Sequence, residues 1–225
     1  MSKKLIVIEG LDGSGKSTQF ELLQSQLAEA GHEVIAISFP DYAEPSSELV
    51  KMYLNGEFGD KPGDVNAYAA SSFYAVDRYA SYKKYWQQGY ESGTLTLASR
   101  YTTSNAIYQM VKMEKSEWDS YLDWLEDFEY GRMGLPVPDV VVFIDMPVEV
   151  SQKLLMNRYD GDEGKRDLHE RNIDFLHFCR EAALYAAKRL GWHTLEASDG
   201  QNPLPVKEIN EHLRLIIKEA IADIC

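Results

Sequence analysis

A glycine-rich stretch near the start of the chain has the residue types and the spacing that phosphate binding requires. It follows an apolar run at residues 5–8 and reads GLDGSGKST from Gly10 to Thr18. This is the G-x-x-x-x-G-K-[ST] pattern, placed between a predicted strand and a predicted helix as in a P-loop. Glycines allow successive backbone N–H groups to point at phosphate oxygens, and the helix adds the positive end of its dipole. We therefore predict that this stretch binds the phosphates of a nucleotide.

Two side chains of this loop have roles of their own. Lys16 can reach the β- and γ-phosphates, and the Ser17 hydroxyl can ligate Mg²⁺. The helix is expected to begin near Lys16. The residues expected to contact the nucleotide are Gly10, Leu11, Asp12, Gly13, Ser14, Gly15, Lys16, Ser17 and Thr18.

The charge of the chain narrows the classes of partner. Its 225 residues include 23 Lys and Arg against 36 Asp and Glu, which gives a formal net charge of −13. Nucleic-acid binding depends on neutralising phosphates with basic side chains, so this balance argues against a nucleic-acid partner. For the same reason, an anionic nucleotide must be received by a local cluster of positive charge and a metal ion.

The cysteines and the apolar runs indicate a cytoplasmic protein. Cys179 and Cys225 cannot form a disulfide framework, and no residues near them resemble a metal site. The first apolar run is too short for the core of a signal peptide, and no uninterrupted run approaches the ~20 residues of a membrane span. We expect no membrane partner.

Apolar strands that alternate with helices predict one α/β domain over residues 1–225. The predicted strands are residues 4–9, 34–37, 94–98, 140–144 and 193–196. The predicted helices are residues 16–30, 46–54, 64–89, 116–128, 148–158, 170–190 and 206–220. Asp64 is the expected N-cap of the third helix, and Ser116 begins a capping box in the fourth. An aromatic stripe on the fourth helix is expected in the core or in a subunit interface.

This order of elements predicts an open five-stranded parallel sheet with helices on both faces. Ligands in such folds lie beyond the carboxyl ends of the strands. The P-loop, Phe39-Pro40 and Arg100-Tyr101 each follow a predicted strand. We therefore expect these segments to meet at one edge of the sheet.

Further motifs resemble the thymidylate (dTMP) kinase family of P-loop nucleoside monophosphate kinases. In chain order they are Phe39-Pro40-Asp41, residues 73–78, residues 100–109 and residues 158–170. The resemblance runs from residue 5 to the last helix and is most specific in the P-loop and in residues 100–109. It implies a P-loop NTPase fold with a mobile lid at about residues 158–169. No N-K-x-D guanine-reading motif follows a strand, which counts against a GTPase.

The resemblance implies an acceptor site beside the P-loop. Asp12 resembles the carboxylate that meets the sugar 3′-hydroxyl, although an Asp here can also cap the amides of its own loop. Arg100 resembles the arginine that grips the acceptor 5′-phosphate, a task suited to its bidentate fork. Tyr101 resembles the tyrosine that packs against the C2′ atom of the sugar.

A second pair of residues resembles the family's base-binding pair. Tyr74 would stack on thymine, and Arg78 would donate a hydrogen bond to its O4 edge. The two lie four residues apart and so share one helix face, where an unrelated Tyr–Arg pair would be a solvated surface contact. The remaining expected acceptor contacts are Phe39, Ser104, Tyr108 and Gln109.

The P-loop departs from the family pattern at Gly13, where many relatives carry an arginine. The positive charge that this arginine would supply must come from elsewhere, and the lid holds the nearest candidates. Arg158 resembles the arginine that lies against adenine, and Lys165 and Arg166 could move over the phosphates. The expected catalytic residues are therefore Lys16, Asp12, Arg100, Arg158, Lys165 and Arg166.

Two further departures affect the metal and the acceptor phosphate. Ser99 replaces the aspartate that usually precedes Arg100, which leaves Ser17 as the expected Mg²⁺ ligand, with Ser99 or Glu9 as outer contacts through water. Tyr42 replaces an arginine that often follows the Phe-Pro segment, which places more of the phosphate's charge on Arg100.

The activity that the resemblance implies is ATP-dependent phosphorylation of dTMP to dTDP, with Mg²⁺. A kinase acting on another deoxynucleoside monophosphate or on a deoxynucleoside is the first alternative. A catalytically silent nucleotide-binding protein is the second. The family is usually homodimeric, and the aromatic-rich helix from Asn66 to Trp86 offers a suitable surface.

Overall fold

The computed structural model describes residues 3–158 and 172–220. Its sheet has five parallel strands in the order β2-β3-β1-β4-β5. They are β1 (Leu5–Gly10), β2 (Val34–Ser38), β3 (Leu95–Ser99), β4 (Val140–Asp145) and β5 (His193–Glu196). The predicted five-stranded parallel sheet is confirmed.

Helices connect the strands. They are α1 (Lys16–Glu29), α2 (Glu48–Leu54), α3 (Ala67–Ser81), α4 (Gln87–Glu91), α5 (Thr103–Tyr108), α6 (Trp118–Glu126), α7 (Val148–Arg158), α8 (Ile173–Leu190) and α9 (Val206–Ala220). A π-helical turn at Tyr82–Trp86 joins α3 to α4, and a second at Asp127–Arg132 follows α6.

The central strands are buried on both faces because helices cover both sides of the sheet. All residues of β1 and β3 are buried, including Glu9 and Ser99 at the end of each strand. This explains why β1 and β4 read as continuous apolar runs rather than as alternating patterns. Apart from Thr96 in β3, the polar residues of these strands lie near their carboxyl ends, where we expected the site.

Two predicted helix starts are wrong. Asp64 does not cap the third helix: it belongs to a 3₁₀ turn and accepts the Lys61 amide, while Asn66 caps α3 by accepting the Ala69 amide at 2.9 Å. The capping box before α6 is formed by Glu114 with Glu117, and not by Ser116. Several polar residues precede each helix, and only the tertiary fold selects which of them caps it.

The aromatic stripe of α6 belongs to the core. Trp118, Tyr121, Leu122 and Leu125 are all buried, and they pack with Ala182 and Ala186 of α8. Across residues 3–158 and 172–220, no helix is long and apolar enough to cross a membrane.

Lys112 is a partly buried lysine just after α5 that connects two distant segments. Its Nζ donates to the Tyr53 hydroxyl at 2.9 Å and to the Val65 carbonyl at 3.0 Å, and lies 4.8 Å from the centroid of the Tyr53 ring. Burial lowers the pKa of Lys112 from its ordinary value of 10.5 to about 7. The folded chain therefore holds this proton less tightly than the unfolded chain does.

The substitution Lys112→Met should change how stability depends on pH. Between about pH 7 and 10.5 the unfolded lysine is protonated while the folded one loses its proton, so wild-type stability should rise with pH relative to the variant. Urea unfolding of both proteins at several pH values measures the difference. Lys207→Met is the control, because that side chain is 88% exposed. A wild-type minus Lys112→Met difference that stays constant with pH would contradict the shifted pKa.

Candidate active site

The candidate site lies at the carboxyl edge of the sheet, where the segments after β1 and β3 meet. A cavity of about 400 Å³ opens over the loop that follows β1. Its lining comprises residues 11–19, Met146, Leu154, Leu155, Pro203, Leu204, Val206 and Ile209. Lys16, the first residue of α1, belongs to this lining and is only 8% exposed. The cavity has the position that a P-loop fold gives to a nucleotide.

Gly13 fits between the loop and helix α7 only because it has no side chain. Its φ of +79° lies in the left-handed region that favours glycine. A Cβ atom at this position would overlap the carbonyl oxygen of Ser151 and lie 3.0 Å from its carbonyl carbon. The absence of an arginine at position 13 therefore has a physical reason, since helix α7 occupies the space that its side chain would need.

Asp12 joins the P-loop to the predicted acceptor side of the site. One carboxylate oxygen forms a short ion pair with Nη2 of Arg100. The other accepts a hydrogen bond from the Tyr108 hydroxyl at 3.1 Å. The Arg100 guanidinium also lies over the Tyr108 ring, 5.1 Å from its centroid. Three residues that sequence analysis assigned to the acceptor side are thus in direct contact.

The charges of this cluster are fixed by their surroundings. Burial is the largest single effect on Arg100 and lowers its pKa, but Asp12, Tyr108 and Glu9 together outweigh burial, and the pKa of Arg100 is raised. Burial raises the pKa of Tyr108, with Arg100 opposing it. At neutral pH the cluster therefore presents a cationic arginine and a neutral phenol that donates a hydrogen bond.

Glu9, the residue before Gly10, holds the backbone that presents Arg100. It is fully buried, and its carboxylate accepts the Tyr101 amide at 3.1 Å, the Thr103 hydroxyl at 2.6 Å and the Ser104 hydroxyl at 2.9 Å. Arg100 has a φ of 65°, which a residue with a side chain rarely adopts. By fixing the segment that follows, Glu9 offsets the cost of this conformation. Its role as an outer metal contact through water stays a prediction.

Other predicted acceptor residues lie deeper in the protein. The Tyr101 ring is fully buried, its hydroxyl donates to the Pro136 carbonyl at 3.1 Å, and its centroid is 6.1 Å from that of Phe39. Gln109 is also buried, and within the described part of the chain its Oε1 has no hydrogen-bond partner. The structure thus places Tyr101 and Phe39 beneath the acceptor side, and their contacts with an acceptor stay predictions.

The predicted base-binding pair is brought together with a buried acid that sequence analysis did not single out. Arg78 is 1% exposed and forms a two-pronged ion pair with Glu129. It is therefore not the solvated surface contact considered as an alternative. Tyr74 is half-buried on the same helix, with its ring edge-on to Tyr53 at 6.4 Å between centroids.

Sequence analysis also missed an apolar part of the cavity lining. Pro203, Leu204 and Val206 belong to this lining. Gln19 of α1 contacts the same segment by donating to the Val206 carbonyl at 2.9 Å. The Leu-Pro-Val run after β5 was the available signal. It was not recognisable alone because an apolar loop is equally consistent with core packing.

The structure describes only the first residue of the predicted lid. Arg158 is the last residue of α7, as predicted. Lys165 and Arg166 lie outside the described residues, as does the rest of the predicted lid up to residue 169.

The residues present fit a magnesium ion that arrives with a nucleotide. Ser17 is exposed in the cavity and offers a hydroxyl oxygen, and Mg²⁺ in such sites takes most of its ligands from phosphates and water. Within the described ranges there is no cluster of three or more His, Cys, Asp or Glu side chains that would bind a metal independently. Ser17 is thus the protein ligand that the chemistry favours.

The substitution Gly13→Ala should damage nucleotide binding. The added methyl group would overlap the Ser151 carbonyl and would also require a left-handed alanine, so the P-loop must shift. Titration with a fluorescent ATP analogue should show affinity lowered by roughly tenfold or more, since backbone strain of this kind costs about 1–3 kcal/mol. Gly31→Ala is the control, because Gly31 has a φ of +90° with nothing near its Cβ position. Equal losses in the two variants would mean that α7 does not constrain the loop.

The substitution Glu9→Gln should weaken binding of the expected acceptor, dTMP. Hydrogen bonds to a charged group contribute about 1.5–3 kcal/mol, so loosening the turn that carries Arg100 should raise KM for dTMP roughly tenfold. Asp139→Asn is the control, because Asp139 also accepts a backbone amide, that of Leu5 at 2.8 Å, but at the opposite edge of the sheet. An unchanged KM in a folded Glu9→Gln protein would exclude this positioning role.

Comparison with known proteins agrees with the geometry. The family model described as thymidylate kinase matches residues 8–206. The chain is 31% identical to the thymidylate kinase of Mycobacterium tuberculosis over 186 residues, which covers 81% of this chain and 84% of that protein. It is 25% identical to human thymidylate kinase over 217 residues, 96% of this chain and 91% of that protein.

A solved structure supports the fold. That of thymidylate kinase from Candida albicans aligns with a TM-score of 0.70 at 23% identity, covering 96% of this chain and 91% of that one. The P-loop and the Asp12–Arg100–Tyr108 cluster lie at one edge of the parallel sheet, and this geometry agrees with the match to the family model. That match establishes that the chain belongs to the thymidylate kinase family.

Proposed function

We propose that the protein transfers the γ-phosphoryl group of ATP to dTMP, giving dTDP and ADP. The observation that carries this proposal is the contact between P-loop residue Asp12 and Arg100 after β3. It places a cation for an acceptor phosphate directly beside the loop for the donor phosphates. The family membership supports dTMP as the acceptor.

The described residues would act by positioning and by neutralising charge. Lys16 and the loop amides would hold the donor phosphates. Arg100 would bind the acceptor phosphate, and Asp12 would exchange its present partners for the sugar 3′-hydroxyl. No general base is needed, because the acceptor phosphate is already anionic. Mg²⁺ held by Ser17 and the donor phosphates would supply further neutralising charge.

The proposed donor and acceptor nucleotides would meet different surroundings, the donor in the cavity and the acceptor beside α3. Leu154, Pro203, Leu204 and Val206 provide an apolar slot, which suits the faces of the donor base. On the acceptor side, Tyr74 provides an aromatic face and Arg78 a buried cation. We propose that these two groups bind the thymine ring.

The lid is proposed to provide the charge that Gly13 cannot. Helix α7 leaves no space for a side chain at Gly13, and Arg158 ends that same helix. A cation from Arg158, Lys165 or Arg166 would then reach the transferring phosphoryl group when the lid closes. Closure would also exclude water and prevent hydrolysis of ATP.

We further propose a homodimer of single-domain chains in the cytoplasm. Tyr68, Val76 and Tyr79 are 40%, 47% and 40% exposed, and they follow one face of α3. Three large apolar side chains at helical spacing make a surface suited to a second copy. The location stays a prediction from the sequence.

The substitution Lys16→Ala should lower kcat for dTMP by about 10²-fold or more, because it removes a cation beside the transferring phosphoryl group. ADP release coupled to NADH oxidation measures turnover, and circular dichroism checks that the fold is retained. Lys188→Ala on the exposed end of α8 is the control. Near-normal turnover in a folded Lys16→Ala protein would contradict the P-loop assignment.

The same assay separates the alternatives. Wild-type protein is given Mg-ATP with dTMP, dUMP, dCMP, dGMP and the matching deoxynucleosides in turn. The proposed function requires the highest kcat/KM with dTMP. Faster turnover of another acceptor would favour a different kinase, and no acceptor-dependent ADP would favour a silent nucleotide-binding protein.

A further inference from the structure

Glu129 is a fully buried carboxylate in the π-helical turn at Asp127–Arg132, distant in sequence from every motif. It accepts four hydrogen bonds, from Arg78 Nε at 2.7 Å, Arg78 Nη2 at 2.5 Å, Thr102 Oγ1 at 2.8 Å and Asn105 Nδ2 at 3.0 Å. A buried carboxylate is costly unless it is paired and hydrogen-bonded. Glu129 meets this requirement through groups on α3 and around the start of α5.

Its pairing with Arg78 fixes the direction of the guanidinium group. Nε and Nη2 of Arg78 both donate to Glu129, and Nη1 donates to the Tyr101 carbonyl at 3.3 Å. Among the described residues these bonds use three of the five N–H groups that an arginine carries. The remaining two N–H groups are one on Nη1 and one on Nη2, the two terminal nitrogens of the guanidinium. A rigidly held donor edge of this kind suits a carbonyl oxygen on a planar base.

Glu129 also decides which way the Asn105 amide points. The two hydrogens of Asn105 Nδ2 are taken by Glu129 and by the Ser71 carbonyl at 3.2 Å. Because a carboxylate can only accept, the amide nitrogen must face Glu129, and the Asn105 oxygen is directed elsewhere as an acceptor. Glu129 therefore sets the polarity of a neighbouring donor and acceptor, both held through its Oε1 atom.

We propose that Glu129 is a positioning residue for acceptor-base selection, which orients Arg78 and Asn105 so that the site favours a pyrimidine with a 4-carbonyl group over one with a 4-amino group. This inference rests on the proposed function. A 4-carbonyl pyrimidine presents an acceptor at O4 beside a donor at N3. Cytosine presents the opposite order, so the donor edge of Arg78 would face an amino group.

Replacing Glu129 by glutamine tests this role. Glutamine keeps the shape but loses the charge and one acceptor, so Arg78 and Asn105 are no longer held in one orientation. In Glu129→Gln, KM for dTMP should rise at least tenfold while KM for ATP stays within twofold. The ratio of kcat/KM for dTMP over dCMP should fall at least fivefold. A structural role alone would lower turnover of both acceptors equally and leave their ratio unchanged, and that result would overturn the proposal.

A milder variant covers the case in which Glu129→Gln does not fold. Thr102→Val removes one neutral donor to Glu129 and leaves the ion pair intact. Its dTMP over dCMP ratio should fall in the same direction, by about twofold. If Glu129→Gln is unfolded and Thr102→Val has the wild-type ratio, the proposal is overturned.

Two controls separate selection from stability and from the proposed function itself. Leu213→Ala in α9 opens the core on the other side of the sheet, so it should lower Tm and leave the dTMP over dCMP ratio unchanged. A changed ratio in Leu213→Ala would also overturn the proposal, because lost stability alone would then alter selection. Wild-type protein that fails to phosphorylate dTMP would overturn the proposed function before any variant is compared.

Discussion

The structure around the proposed acceptor site depends on two buried carboxylates, whose charges must be compensated by hydrogen bonds. Glu9 and Glu129 are both fully inaccessible to solvent, and each must be hydrogen-bonded to be tolerated there. Four successive side chains from Thr102 to Asn105 meet this demand by donating to one carboxylate or the other. The turn after β3 is thereby fixed from both sides, and Arg100 and Arg78 are fixed with it. These hydrogen bonds are required because a buried charge without partners would be costly.

A second constraint acts on the donor side, where helix α7 lies against the P-loop at Gly13. The same contact that closes the fold around the loop removes the space for an arginine there. In the proposed mechanism the loop would hold the phosphates, Arg100 would hold the acceptor, and the missing cation would come from the predicted lid. What the packing at Gly13 excludes is a side chain at this position of the loop.

The sequence predicted the strands closely because buried parallel strands leave continuous apolar runs that are hard to mistake. Helix starts were predicted less reliably than strands. Asp64 and Ser116 are good capping residues, yet Asn66 caps α3 and Glu114 forms the capping box before α6. Within the site, Asp12, Arg100 and Tyr108 were found because they lie in or beside recognisable motifs. Glu129 was not, because its partners are 24 to 51 residues away and nothing in its neighbours marks it as buried.

By itself, the sequence determined the phosphate-binding loop, the parallel α/β sheet and the edge at which the site forms. These features depend on local pattern, on glycine at fixed positions and on the order of elements along the chain. Only the tertiary structure decided that Arg78 is buried against Glu129, that Glu9 supports a left-handed Arg100, and that α7 excludes a side chain at Gly13. Each of these depends on which distant groups share a confined volume, and hydrogen bonding and steric exclusion at that range leave no local trace in sequence.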